Sequence, residues 1–130
     1  FDRIDAYTAF ERQVKQTKRQ ILNLLIGLKD NGARIAGYGA PGKGNTLLNY
    51  CGIRTDFLDF TVDRNPYKQG KYTPGTHIPI LPPEAIFEQR PDYLFILPWN
   101  LKDEIIGQMS GIRAWGGKFI TPIPTPTIIP

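Results

Sequence analysis

Apolar residues Phe10, Val14, Ile21, Leu25 and Leu28 recur at helical spacing, with Arg12, Lys15, Lys18 and Arg19 between them. That pattern puts one apolar face on a long amphipathic helix, with the cations on its solvated side. The helix is expected from about Asp5 to Lys29, ending at the stop signal Asp30-Asn31-Gly32. The pattern then changes period. Arg34 to Gly37 reads as a short strand, residues 42–51 as a second helix, and Phe57 to Val62 as a second strand. His77 to Ile80 is another short strand, and Pro79 within it argues for an edge or irregular position. Pro82 and Pro83 open a short helix through Phe87, since proline is tolerated in a first turn. Asp92 to Leu97 is nearly all apolar, as a central parallel strand is. Asn100 is expected to N-cap a helix from Leu101 to Met109, Gly116-Gly117 to end the helical region, and Lys118 to Thr121 to form the last strand.

Between the second and third strands lies a long segment, Asp63 to Thr76, rich in Gly, Pro, Asn, Lys and Tyr. A loop of that length in a compact domain is usually functional or mobile. Tyr67, Lys68, Lys71 and Tyr72 within it can close over a ligand as a lid, or form a solvated loop. There is no internal repeat.

Composition narrows the class. The chain has 130 residues, 41% hydrophobic and 22% charged, which suits one soluble globular domain with one core. No run approaches the roughly 18 apolar residues of a membrane span, and no signal-peptide pattern opens the chain. The net charge of +4 is mild and much of it sits in the first helix, so no nucleic-acid partner is expected. The single cysteine, Cys51, excludes an internal disulfide and a multi-cysteine zinc site. Its place on the apolar side of the second helix predicts a buried structural thiol, and the expected compartment is cytoplasmic. The chain opens on Phe1 and enters a helical pattern at once, which reads as a piece of something longer.

The chemistry concentrates at Gly37-Tyr38-Gly39-Ala40-Pro41-Gly42-Lys43-Gly44, between the first strand and the helix running through Asn45. Strand, glycine-rich turn and helix is the context in which G-x-G-x-x-G signifies a diphosphate cradle. The first glycine permits a tight turn, the second admits phosphates to the backbone, and the third packs helix on strand. The free N–H groups of the helix start face the anion. Gly37 to Lys43 also spells the first seven positions of a triphosphate loop, but the eighth is Gly44 where a magnesium-binding Ser or Thr belongs. An acid should follow the glycines by about 20 residues at the end of the second strand, and Asp63 lies 21 beyond Gly42. Asp63 can bind a ribose hydroxyl, or merely cap the turn Asp63-Arg64-Asn65-Pro66. The alternation of strands and helices predicts an α/β, Rossmann-like, open and mostly parallel twisted sheet of about five strands with helices on both faces. Residues 1–31 form the long helix, 32–121 the core and 122–130 a proline-rich tail of a single domain.

The glycine run continuing to Asn49 resembles a segment of one family. So do Thr61-Val62-Asp63-Arg64-Asn65-Pro66-Tyr67-Lys68-Gln69-Gly70, Pro74 to Ile80, and Leu97-Pro98-Trp99-Asn100. Together they resemble the C-terminal, Rossmann-like domain of S-adenosylmethionine-dependent nucleotide-sugar C-methyltransferases. The resemblance covers essentially the whole chain. It implies that a zinc-binding region and a central S-adenosylmethionine-binding domain belong to the missing part of the enzyme. It also implies that this domain helps hold the nucleotide-diphosphate sugar against the central domain. The family commonly has Ala where this chain has Gly42, a change the fingerprint accepts. The acid that precedes the glycines in methyl-donor domains is replaced here by Ile35, so no cofactor is expected in this domain and the isolated chain is expected to be inactive.

Ligands of open α/β sheets sit beyond the carboxyl ends of the strands, where the glycine turn, Asp63-Arg64-Asn65 and Pro98-Trp99-Asn100 are expected to converge. Lys43 can neutralise a phosphate or simply be a solvated lysine; Arg64 can do the same in bidentate fashion. Trp99 can stack on a base or sugar, or pack against a missing domain. His77, the only histidine, is a weak catalytic candidate, and no metal site is expected. Three readings stand: a nucleotide-sugar-binding domain of a C-methyltransferase, an NAD(P)-binding domain of an oxidoreductase, and a non-catalytic docking module.

Overall fold

The structure is a computed structural model describing residues 3–40 and 42–130, with side chains described from residue 12 onward except residue 13. Helix α1 runs Arg3–Asp30 and buries Ile21 and Leu25, with Leu22, Leu24 and Leu28 half-buried beside them. The expected helical face is therefore present in its second half; the side chain of Phe10 lies outside the described residues. The helix ends in a Schellman turn, in which the N–H of Ala33 donates to the carbonyl of Leu28 and that of Gly32 to the carbonyl of Lys29.

The remaining elements are β1 (Ile35–Tyr38), α2 (Gly42–Cys51), β2 (Thr61–Val62), β3 (Ile80–Leu81), α3 (Glu84–Gln89), β4 (Tyr93–Ile96), α4 (Lys102–Gln108), β5 (Lys118–Thr121) and β6 (Thr127–Ile129). Short 3-10 turns cover Trp99–Leu101 and Ser110–Trp115. The six strands pair in the order β3-β2-β1-β4-β5-β6, parallel except for β6, which runs antiparallel to β5. This is the doubly wound order in which the chain leaves β1 toward β2 on one side and returns to β4 on the other. The central strand is buried along its whole length, as a doubly covered strand must be. One core, with Leu48, Ile53, Phe95 and Ile120, lies under α1 and α2. The other, with Val62, Ile86, Leu94, Ile105 and Phe119, lies under α3 and α4.

Four expectations needed correction. β2 is shorter than Phe57 to Val62, because a turn takes the amides of Phe57 and Leu58 to the carbonyl of Arg54. His77 adopts φ 60°, and residues 71–79 fold back so that Tyr72 bridges Pro79; β3 therefore starts only at Ile80. Asn100 is no N-cap: it lies inside the 3-10 turn, and α4 begins after Leu101 without a side-chain cap. Lys118 to Thr121 is not the last strand, because within the proline-rich tail β6 adds a sixth, edge strand, where prolines are tolerated.

Gly37 shows why β1 and β2 fit together. A Cβ added there would stand 2.8 Å from Thr61 Oγ1, in the pair that joins the two strands. Thr61 Oγ1 itself donates to the carbonyl of Gly39 at 2.7 Å and is buried. Gly37 thus permits close strand approach rather than a turn. Gly37→Ala should cost about 1–3 kcal/mol by overpacking. Gly27→Ala in α1, where nothing lies within 4 Å of the added carbon, should gain about 0.5–1 kcal/mol. Urea unfolding of both variants checks this; a neutral Gly37→Ala contradicts the packing account.

Candidate functional site

At the carboxyl ends of β1, β2 and β4 the chain leaves the sheet in three segments that enclose a cleft of about 210 Å³. β1 delivers Tyr38, Gly39 and Ala40; β2 delivers Asp63 and Arg64; β4 delivers Pro98. The far wall comes from Leu101, Glu104, Ile105 and Gln108 at and within α4. The cleft lies at the point where strand order reverses, beside β1, which is where doubly wound sheets take their ligands.

Asp63 organises this corner. Its Oδ2 accepts the amide N–H of Ala40 at 3.0 Å, and its Oδ1 accepts that of Asn65 at 2.9 Å. Lys68 places its Nζ 3.9 Å from Oδ2 and donates to the carbonyl of Ala40 at 3.0 Å. Gln69 Nε2 donates to the Asp63 carbonyl at 2.8 Å. The glycine turn and the segment after β2 are therefore stitched together by one carboxylate and one ammonium, and the Gln69 amide braces the second segment within itself. The Asp63–Asn65 bond is the Asx turn that the capping alternative describes, and the Ala40 bond adds a long-range tie to it. Gly39 adopts φ +91°, a backbone state that a Cβ disfavours, and so lets the chain turn from β1 into this tie.

Tyr38 faces α4. Its hydroxyl donates to Gln108 Oε1 at 3.1 Å. Burial pushes the phenol above its ordinary value of 10.0; nearby Arg64 pulls it partly back, and Asp63 and Glu104 add to the rise. At neutral pH Tyr38 is thus an uncharged donor.

Of the residues expected at the site, Tyr38, Gly39, Ala40, Asp63, Arg64 and Pro98 come together in the cleft. Pro41 lies outside the described residues. Gly37 is inside β1, and Gly42, Lys43, Gly44 and Asn45 form the first turn of α2 without appearing in the cleft wall. Lys43 is exposed. Asn65 turns its Oδ1 to the amide of Tyr67 at 3.0 Å. Trp99 and Asn100 occupy the 3-10 turn at the rim rather than the wall. His77 stacks on Tyr72 with ring centroids 4.8 Å apart, at the tip of the fold-back and not in the cleft. Lys68, expected in a lid or a solvated loop, stands in the cleft wall, and Glu104 and Gln108 were missed. For the last two the available signal was their four-residue spacing on one face of α4. The expected lid segment is held down rather than loose, because Thr73 and Ile80 donate to Ile78 and Lys71 and Asn49 Nδ2 donates to the Pro74 carbonyl at 3.0 Å.

The raised phenol pKa sets a pH dependence. Because the fold favours the neutral form, this contribution is complete below pH 10.0 and is lost as pH rises through the higher folded value. Tyr38→Phe should cost about 1 kcal/mol at neutral pH through the lost hydrogen bond, and should flatten the alkaline fall in stability. Thermal unfolding from pH 8 to 11 reads both; an unchanged alkaline slope contradicts the assignment.

Comparison with known proteins bears on the fold and the family. No helix among the described residues is long and apolar enough to cross a membrane. The solved structure of UDP-D-quinovosamine 4-dehydrogenase from Vibrio fischeri superposes with a TM-score of 0.50 at 20% identity, covering 72% of this chain and 79% of that one. That likeness shows the Rossmann-like fold. The C-methyltransferase NovU of Streptomyces niveus is 41% identical over 123 residues, which is 95% of this chain but 29% of NovU. The chain thus spans less than a third of that relative's length. Residues 1–124 match the family described as the C-methyltransferase C-terminal domain, and the chain belongs to that family.

Proposed function

We propose that this domain holds a nucleotide-diphosphate sugar for a methyl transfer catalysed elsewhere in a longer S-adenosylmethionine-dependent enzyme. The observation that carries the proposal is the cleft at the strand-order reversal, bounded by the glycine turn and Arg64, in a chain of C-methyltransferase ancestry. The apolar part of its wall, Ala40, Pro98, Leu101 and Ile105, suits a flat ring, and Arg64 suits a phosphate. In this proposal the ligand's diphosphate lies over the glycine turn, and the sugar is held against a central methyltransferase domain. S-adenosylmethionine and zinc belong to those other parts, and Ile35 stands where a methyl-donor domain carries its acid.

Asp63 fits the reading with a changed emphasis. Each of its oxygens already accepts one backbone N–H, so a ribose hydroxyl would share the carboxylate rather than own it. NAD(P) binding is the second reading, and the Asp63 position at the end of β2 is what favours it.

Calorimetry on the 130-residue chain with uridine and thymidine diphosphate sugars and with NAD separates these readings. The expected result is binding of a nucleotide sugar in preference to NAD, and no methylated product when S-adenosylmethionine and a deoxyketosugar nucleotide are supplied. Preference for NAD supports the oxidoreductase reading, and binding of neither supports the docking module. Methyl transfer by the isolated chain overturns the division of labour proposed here.

A further inference from the structure

The cleft beside the glycine turn does not end at Arg64. A second, more polar hollow of about 470 Å³ shares Tyr38, Arg64 and Gln108 with it and continues to Gln69, Pro83, Glu84 and Met109. Arg64 therefore stands at the junction of two pockets. Among the described residues neither Arg64 nor Glu84 has a hydrogen-bond or ion-pair partner, while Lys68 is committed to Ala40 and Asp63. Glu104, in the wall of the first cleft, likewise has no such partner, so the groove carries one uncommitted cation at its middle and an uncommitted carboxylate on either side of it, Glu104 in the cleft and Glu84 in the hollow.

The remaining polar atoms are arranged by existing bonds. Gln69 spends its Nε2 on the Asp63 carbonyl, which leaves its Oε1 as an acceptor. Gln108 spends its Oε1 on the Tyr38 hydroxyl, which leaves its amide N–H groups as donors. Acceptors at Gln69 and Glu84 and donors at Gln108 and Arg64 line the same hollow. Hydroxyl groups, each donor and acceptor at once, match such a mixed wall, whereas a second phosphate would meet the Glu84 carboxylate.

We infer that the Gln69–Glu84–Gln108 hollow is a subsite for a hydroxylated sugar ring whose attached phosphate is held by Arg64 at the junction of the two pockets. The inference rests on the nucleotide-sugar reading above and adds to it the place of one ring. That ring is either the pendant hexose, which presents neighbouring hydroxyls, or the ribose of the nucleoside, which presents two in a uridine nucleotide and, as deoxyribose, one in a thymidine nucleotide. The same wall selects against ligands that carry a further phosphate on that ring.

Calorimetry of the chain and of its Glu84→Ala and Arg64→Ala variants tests this, with uridine and thymidine diphosphates, the corresponding diphosphate glucoses, and glucose 1-phosphate as probes. Both positions are exposed, and melting temperatures report whether the variants stay folded. Glu84→Ala should weaken sugar-bearing ligands by about tenfold or more, the worth of a hydrogen bond to a charged group. A loss confined to the diphosphate glucoses and glucose 1-phosphate assigns the hexose to the subsite. An equal loss for the plain diphosphates assigns the ribose. Arg64→Ala should weaken every probe. If folded Glu84→Ala binds all probes as the parent does, the subsite is overturned while the nucleotide-sugar reading stands. If the parent binds glucose 1-phosphate but no nucleotide, the subsite stands and that reading fails. If the parent binds none of them, both fall.

Discussion

The bond from the Ala40 amide to the Asp63 carboxylate holds the candidate site in shape. Strands β1 and β2 bring the two segments alongside, but nothing in a parallel pair dictates where the chain goes once it leaves the sheet. The carboxylate answers that by accepting one amide from each departing segment, with Lys68 close enough to balance its charge. A carboxylate left half-buried without such donors would be costly, and amides without an acceptor equally so. Satisfying them against each other builds a rigid floor under the cleft. It also means that the glycine turn already holds one anionic group, supplied by the chain itself. Among the described residues that leaves Arg64 as the uncommitted cation in the groove wall.

The fold supplies the rest through its order of strands. A chain that winds outward from β1 in one direction and then in the other leaves a gap above β1 that no crossover fills. Here the gap is walled on one side by the segment after β2 and on the other by α4, whose Ile105 is anchored in the core under that face. The polar residues of α4 that reach the cleft, Glu104 and Gln108, are therefore carried by a helix fixed from below. The close approach of β1 to β2 at Gly37 and Thr61 sets the distance between the first two segments. Cys51 takes no part: it is buried under α2, and burial pushes its thiol above the ordinary value.

Much of this was legible because local chemistry and global placement agree. The period of Ile21, Leu25 and Leu28, the Gly32 stop, the glycine turn and the apolar run of β4 each carry their signal within a few residues. The doubly wound sheet follows from their alternation, and Asp63 from its spacing to Gly42. The departures arise where distant contacts decide. Phe57 and Leu58 look like strand, yet their amides turn back to Arg54. Thr127 to Ile129 are hidden among prolines, and only pairing with β5 makes them a strand. Lys43 and Arg64 are equivalent as letters, and only the fold puts one on the exposed first turn of α2 and the other in the cleft wall. The spacing of Glu104 and Gln108 puts them on one face of α4, but the contact of Gln108 with Tyr38 spans 70 positions and only the fold makes it.

The central claim is that a nucleotide-linked ligand occupies the carboxyl-edge cleft. Amide chemical-shift mapping of the labelled chain, titrated with a nucleoside diphosphate sugar, tests it most directly. The account predicts shifts concentrated at residues 38–40, 63–69 and 101–108, on both walls of the cleft. Shifts centred instead on the apolar hollow between α1, α2 and the tail, at Val14, Tyr50 and Ile123, would contradict it.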